Sequence, residues 1–143
     1  MAQNDVETLN SFLRGEISAV ETYRQAIGSM SSEALRAQLE ECQRDHQQRV
    51  EAIRDRIEKL GGMPAEGSGP WGAFAKLVQG GADVLGEKTA IQALEEGEDH
   101  GLADYLRDAD QVHGDARRFV RMELLPAQKR THAQMSKLKR TLH

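Results

Sequence analysis

One pattern is written twice in this chain. Gly15-Glu16-x-x-Ala19-x-x-x-Tyr23 returns after the midpoint as Gly97-Glu98-x-x-Gly101-x-x-x-Tyr105. Each copy lies in a segment whose apolar residues recur every three or four positions, the period of a helix. Each also sets its glutamate on the apolar stripe. An isolated carboxylate is costly to bury, because it gives up its hydration. Two glutamates at matching places in two helices therefore predict a polar site inside a helical bundle.

The rest of the chain supplies the other walls. Asn4-Asp5-Val6-Glu7 has the form of a capping box and predicts a first helix from near Asn4, with Leu9, Leu13, Glu16, Val20, Tyr23 and Ile27 facing inward. A second helix is predicted from Ser31 or Ser32 to Leu60, stopped by Gly61. Its stripe is Leu35, Leu39, Cys42, His46, Val50, Ile53, Ile57 and Leu60. The third runs from about Asp83 to Ala109 through Ile91, Leu94, Glu98, Leu102 and Tyr105. In the fourth, Phe119, Met122 and Leu125 lead to Pro126, which either kinks the helix or opens a new one. Gln128, His132, Met135, Leu138 and Leu142 continue the stripe.

Between the halves, Gly61 to Pro70 is loop-like, and Trp71 to Val78 reads as a short helix closed by Gly80-Gly81. No segment alternates as a strand would. The expectation is all-α: one domain over residues 1–143, a four-helix bundle with short connections inside each pair. A long crossover, residues 61 to about 82, joins helices 2 and 3.

Composition removes several classes. A net charge of −4 gives no electrostatic reason to expect nucleic acid as a partner. The single cysteine, Cys42, excludes an internal disulfide and fits a reducing compartment. No apolar run reaches membrane-spanning length and the first residues lack a signal-peptide core, so a cytoplasmic protein with no membrane association is expected. Nucleophile–base pairs, phosphate loops and Cys-x-x-Cys motifs are missing from the sequence.

The four stripes place Glu16, His46, Glu98 and His132 inside, with Tyr23 and Tyr105 two turns beyond the glutamates on the same face. Two readings of the quartet stand. It is a buried Glu–His hydrogen-bond network that fixes helix register, or it holds one divalent ion, since two imidazoles and two carboxylates suit zinc, iron or manganese. Cys42 reads as a small buried hydrophobe. His100 falls on a different face from Glu98, and His113 and His143 belong to no constellation. The basic residues Lys129, Arg130, Lys137, Lys139 and Arg140 suit the end of a helix.

The repeated Gly-Glu-x-x-(Ala/Gly)-x-x-x-Tyr element and the Leu60-Gly61-Gly62-x-Pro64 turn resemble the ferritin-like superfamily, rubrerythrins and bacterioferritins included. More narrowly, Leu9-Asn10, the Gly-Gly-x-Pro turn and Gly97-Glu98-Asp99 before Tyr105 resemble a small bacterial branch catalogued as a domain of unknown function. The resemblance implies a ferritin-like four-helix bundle. It also implies metal-bridging glutamates on helices 1 and 3 and Glu-x-x-His on helices 2 and 4.

The sequence departs from that pattern. Three residues before His46 stands Gln43, and three before His132 stands Lys129, where the resemblance calls for glutamate. Gln43 and Lys129, with Tyr23 and Tyr105, are then expected to surround the site. Lys129 is expected to ion-pair with Glu16 or Glu98. The favoured function is a non-catalytic bundle with a structural or interaction role. The alternatives are a protein binding one ion at Glu16, His46, Glu98 and His132, or a degenerate di-iron oxidase or peroxidase using Glu95 or Asp99 as substitutes. A homodimer paired along an exposed apolar strip is the assembly expected.

Overall fold

The computed structural model describes residues 2–69 and 86–142. They form α1 (Ala2–Gly28), α2 (Glu33–Lys59), α3 (Glu87–Asp108), α4 (Gly114–Phe119) and α5 (Leu125–Thr141). Among the described residues there is no strand. α1 pairs with α2, α3 pairs with α5, and α1 also lies along α3. The result is an all-α four-helix bundle whose fourth arm is α4, a wide turn and α5. The short helix expected over 71–78 and most of the expected crossover fall outside the described residues.

The second helix starts and stops as its sequence dictates. The Ser32 hydroxyl accepts from the Leu35 N–H at 3.2 Å, closing the first turn. At the far end Gly61 takes φ +81°, a conformation in which a side chain is strained. The Gly61 N–H donates to Glu58 O at 2.9 Å and the Gly62 N–H to Ile57 O at 3.0 Å. These two bonds satisfy two of the last carbonyls of the helix.

The turn is then fastened to α1. The Asn10 side chain donates to Met63 O at 2.9 Å and accepts from the Ala65 N–H at 2.7 Å. The Leu9-Asn10 and Gly-Gly-x-Pro motifs are therefore two halves of one joint. Gly62 must be glycine because of packing. A methyl there would stand 2.6 Å from Val6 Cγ1 and 3.2 Å from Ile57 Cγ2. Gly62→Ala is expected to cost about 1–3 kcal/mol, as overpacking a stiff core contact does. Urea unfolding measures it, and a midpoint equal to the parent's would mean that Val6 yields freely.

The first helix begins earlier than its apparent cap. It is helical from Ala2, so Asn4 sits inside it and the expected capping box does not form. Asp5 is buried instead, with Oδ1 2.9 Å from His113 Nδ1, just before α4. His113, without a visible partner in the sequence, ties the start of α1 to the fourth arm.

The fourth arm has the least regular backbone. Between α4 and α5, Val120–Leu124 form a π-helical turn in which the Leu125 N–H donates back to Val120 O. Pro126 follows within the first turn of α5, where its missing N–H breaks least. The helical path thus continues through Pro126. A π-turn inserts one extra residue and so changes the phase of the stripe. An unbroken α-helix through Ala116, Phe119 and Val120 would carry Glu123 inward. Leu124 takes that place, and Glu123 and Met122 are exposed, Met122 by 71%. Downstream, the inward residues are Ala127, Gln128, Thr131, Met135 and Leu138.

All four arms contribute to the core, which a polar layer divides. One apolar cluster holds Leu9, Leu13, Ile53, Ile57, Phe119 and Leu124 among others, and Tyr105 is its member nearest that layer. The other holds Ala26, Leu39, Cys42, Ile91, Leu94 and Met135, with Tyr23. Between them lie Glu16, His46, Arg49, Glu98, Gln128 and Thr131, all buried.

Candidate functional site: a buried Glu–His–Arg layer

The repeated motif is self-complementary. Glutamate and tyrosine stand seven residues apart, two turns on one helix face. Because α1 and α3 run antiparallel, the glutamate of each copy meets the tyrosine of the other. The Tyr23 hydroxyl donates to Glu98 Oε2 at 2.6 Å, and the Tyr105 hydroxyl donates to Glu16 Oε2 at 2.5 Å. Burial and the adjacent glutamate push both phenols well above their ordinary range, so both remain donors.

His46 of α2 joins the two carboxylates. Its Nδ1 lies 2.5 Å from Glu16 Oε1 and its Nε2 lies 2.7 Å from Glu98 Oε2. A carboxylate only accepts, so both ring nitrogens carry protons and the ring is an imidazolium. Burial by itself would disfavour that charge. Glu98 and Glu16 outweigh it and raise the ring to about 9.

The second cation is Arg49, one turn further along α2. Its Nη1 donates to Gln128 Oε1 at 2.5 Å and to Glu16 Oε2 at 3.3 Å. Its Nη2 donates to Thr131 Oγ1 at 2.8 Å and to Ala127 O at 3.0 Å, and Nε donates to Asp45 Oδ1 at 3.1 Å. Burial works against the Glu16 carboxylate, but Arg49 and His46 together bring it down to about 2. Glu98 is lowered too: burial opposes its charge, and His46, Tyr23 and Thr131 favour it. Two carboxylates and two cations leave the layer neutral.

α5 completes it with neutral groups. Gln128 Nε2 donates to Glu98 O and to Glu98 Oε1, each at 2.9 Å, and the Thr131 hydroxyl donates to Glu98 Oε1 at 2.7 Å. Every carboxylate oxygen of Glu16 and Glu98 is thereby used. Gly101 belongs to this fit: a methyl there would stand 2.7 Å from Gln128 Nε2. This is why the second copy of the motif carries glycine where the first has Ala19. A cavity of about 50 Å³ lies over the layer, between α1 and α3, walled by Gly15, Ala19, Gly97 and Gly101.

Of the four predicted residues, Glu16, His46 and Glu98 come together and His132 does not. The phase change at the π-turn and the step from Gln128 to Thr131 put His132 at the flank of α5. There, 26% exposed, it pairs with Asp99. Lys129 is exposed and makes no ion pair with Glu16 or Glu98; the cation between the arms is Arg49. Gln43 lies outside the layer, donating to Val20 O at 3.1 Å. Tyr23 and Tyr105 take the places expected of them. Cys42 is buried, and burial together with Glu98 pushes its thiol up to about 12, which leaves it an inert core residue.

Fold and layer together define a class: an antiparallel helical bundle with a charge-compensated polar centre. The chain belongs to the family described as Domain of unknown function (DUF2383), whose model matches residues 4–109. That span contains both motif copies, the α2 turn, His46 and Arg49, and stops short of Gln128 and Thr131. No curated protein and no solved structure matches the chain. Among the described residues, no helix is long and apolar enough to cross a membrane.

Proposed function

We propose that this is a ferritin-like bundle without catalytic function, whose central charges lock the two hairpins in register and whose role is exercised through its outer surface. The observation that carries the reading is Arg49, seated against Glu16 and fastened to the fourth arm, where a metal-binding bundle needs open ligand positions. His46 supports it. Both of its nitrogens face carboxylates, so it has no lone pair to offer a metal.

The competing reading, one divalent ion at Glu16, His46 and Glu98, requires an ion to expel Arg49 and remove a ring proton. A degenerate di-iron oxidase or peroxidase at the same residues, which would hold two ions, meets the same obstacle. Imidazole nitrogen NMR separates the readings. At neutral pH both His46 nitrogens are expected to be protonated, and to stay so when ferrous or zinc ion is added. A His46 nitrogen that loses its proton to added metal would overturn the proposal.

A further inference from the structure

We propose that Glu95, Asp99 and His132 form a surface site for one divalent transition-metal ion of the zinc type, separate from the central layer. Glu95 and Asp99 are one turn apart on α3, so their carboxylates share a face. His132 projects from α5 directly opposite, with its Nε2 against Asp99 Oδ1. One ligand atom from each of the three lies within 4.8 Å of the other two. Metal bonds of about 2 Å set tetrahedral ligand atoms roughly 3.3 Å apart, so Asp99 and His132, now in direct contact, must part to admit the ion, a movement within reach of partly exposed side chains.

The donor set and the setting both suit such an ion. One imidazole and two carboxylates match zinc and its neighbours rather than calcium, which takes oxygen alone. Asp99 is 54% exposed and His132 26%, which leaves an entry path and positions for water. Both helices are held rigidly at this level. Glu98 and Thr131, the residues just before Asp99 and His132, are bonded to each other in the central layer. Site geometry carried on two fixed helices is better maintained than on loops.

The groups now satisfying Glu95 are replaceable. Lys139 Nζ and the Ser136 hydroxyl each donate to it at 3.2 Å. Lys139 is 45% exposed, so its ammonium swings to solvent at little cost when a divalent ion takes over the carboxylate.

Calorimetric titration of the full chain with zinc tests the site, after chelator treatment and removal of the chelator. One saturable equivalent per chain is expected. His132→Ala and Asp99→Asn, both at partly exposed positions, should each weaken binding by at least the roughly tenfold that even a ligand's supporting partner is worth. In the parent, imidazole NMR should show zinc moving the His132 ring signals and leaving His46 alone. The absence of saturable binding, or binding that both variants leave unchanged, overturns the proposal. Movement of His46 instead would count against the central reading as well, so the two failures are distinguishable.

Discussion

Arg49→Met is expected to lower the unfolding free energy by about 3–5 kcal/mol, the range measured when one member of a buried ion pair is removed. For a chain of this size that is a fall in melting temperature on the order of 10 °C. The cost comes from what is left behind. Without the guanidinium, Glu16 and Glu98 face a single imidazolium, and the layer carries one uncompensated negative charge. Ala127 O, Gln128 Oε1 and Thr131 Oγ1 each lose a donor in the same step. Methionine restores the volume of the stem and nothing else.

Two further variants separate charge from geometry. Arg49→Lys keeps the charge, but a lone ammonium cannot reach Glu16, Gln128, Thr131, Ala127 and Asp45 together, so a large part of the loss should persist. Combining Arg49→Met with Glu16→Gln removes one charge of each sign and returns the layer to neutrality. Their combined cost should then fall well short of the sum of the two single costs. Urea unfolding followed by circular dichroism measures all of these. If Arg49→Met costs less than about 1 kcal/mol, charge compensation is not what holds the layer.

Why Arg49 was hidden in the sequence and Glu16 was not follows from side-chain length. A glutamate on an apolar stripe has too short a stem to escape to water, so its position alone betrays it. An arginine beside the stripe ordinarily snorkels, and the bland reading is a surface charge. The available signal was its spacing: Arg49 stands three residues after His46 and four before Ile53, on the inward side of α2. The Glu–Tyr repeat was legible because its seven-residue spacing maps each copy onto the other in antiparallel helices.

The phase of the fourth arm is obscured in the sequence for a different reason. Met122 and Leu125 set an apparent phase, and no residue in the run marks the π-turn except Pro126, which is equally at home at the start of a helix. Once the phase slips, Thr131 replaces His132 inside. A threonine on a stripe carries no functional flag, whereas a histidine does. Asn4 is a similar case: a capping box needs a chain that is not yet helical, and here helix already precedes it.

Stability should also fall on the alkaline side of neutrality, and His46 is the reason. Its ring titrates at about 9 in the folded protein against an ordinary 6.5, so the folded state holds a proton that the unfolded chain releases earlier. The contribution is complete below about pH 6.5 and is lost as the pH rises through about 9. At 1.36 kcal/mol per unit it amounts to about 3 kcal/mol in all, of which roughly 2 kcal/mol is gone by pH 8.5. Glu16 sets the opposite limb. Held down to about 2 from 4.5, it contributes fully above about pH 4.5 and ceases to as the pH falls through 2. Between the two limbs stability should be flat and maximal. Urea unfolding at pH 6 and pH 8.5 isolates the histidine, because the unfolded Cys42 thiol, ordinarily at 9.0, is only about a quarter ionised at pH 8.5 and contributes roughly 0.2 kcal/mol. His46→Gln should be less stable than the parent at pH 6 and should lose the difference between the two pH values. A parent protein equally stable at both would mean that His46 is neutral in the fold, and that one of its two carboxylate bonds does not form.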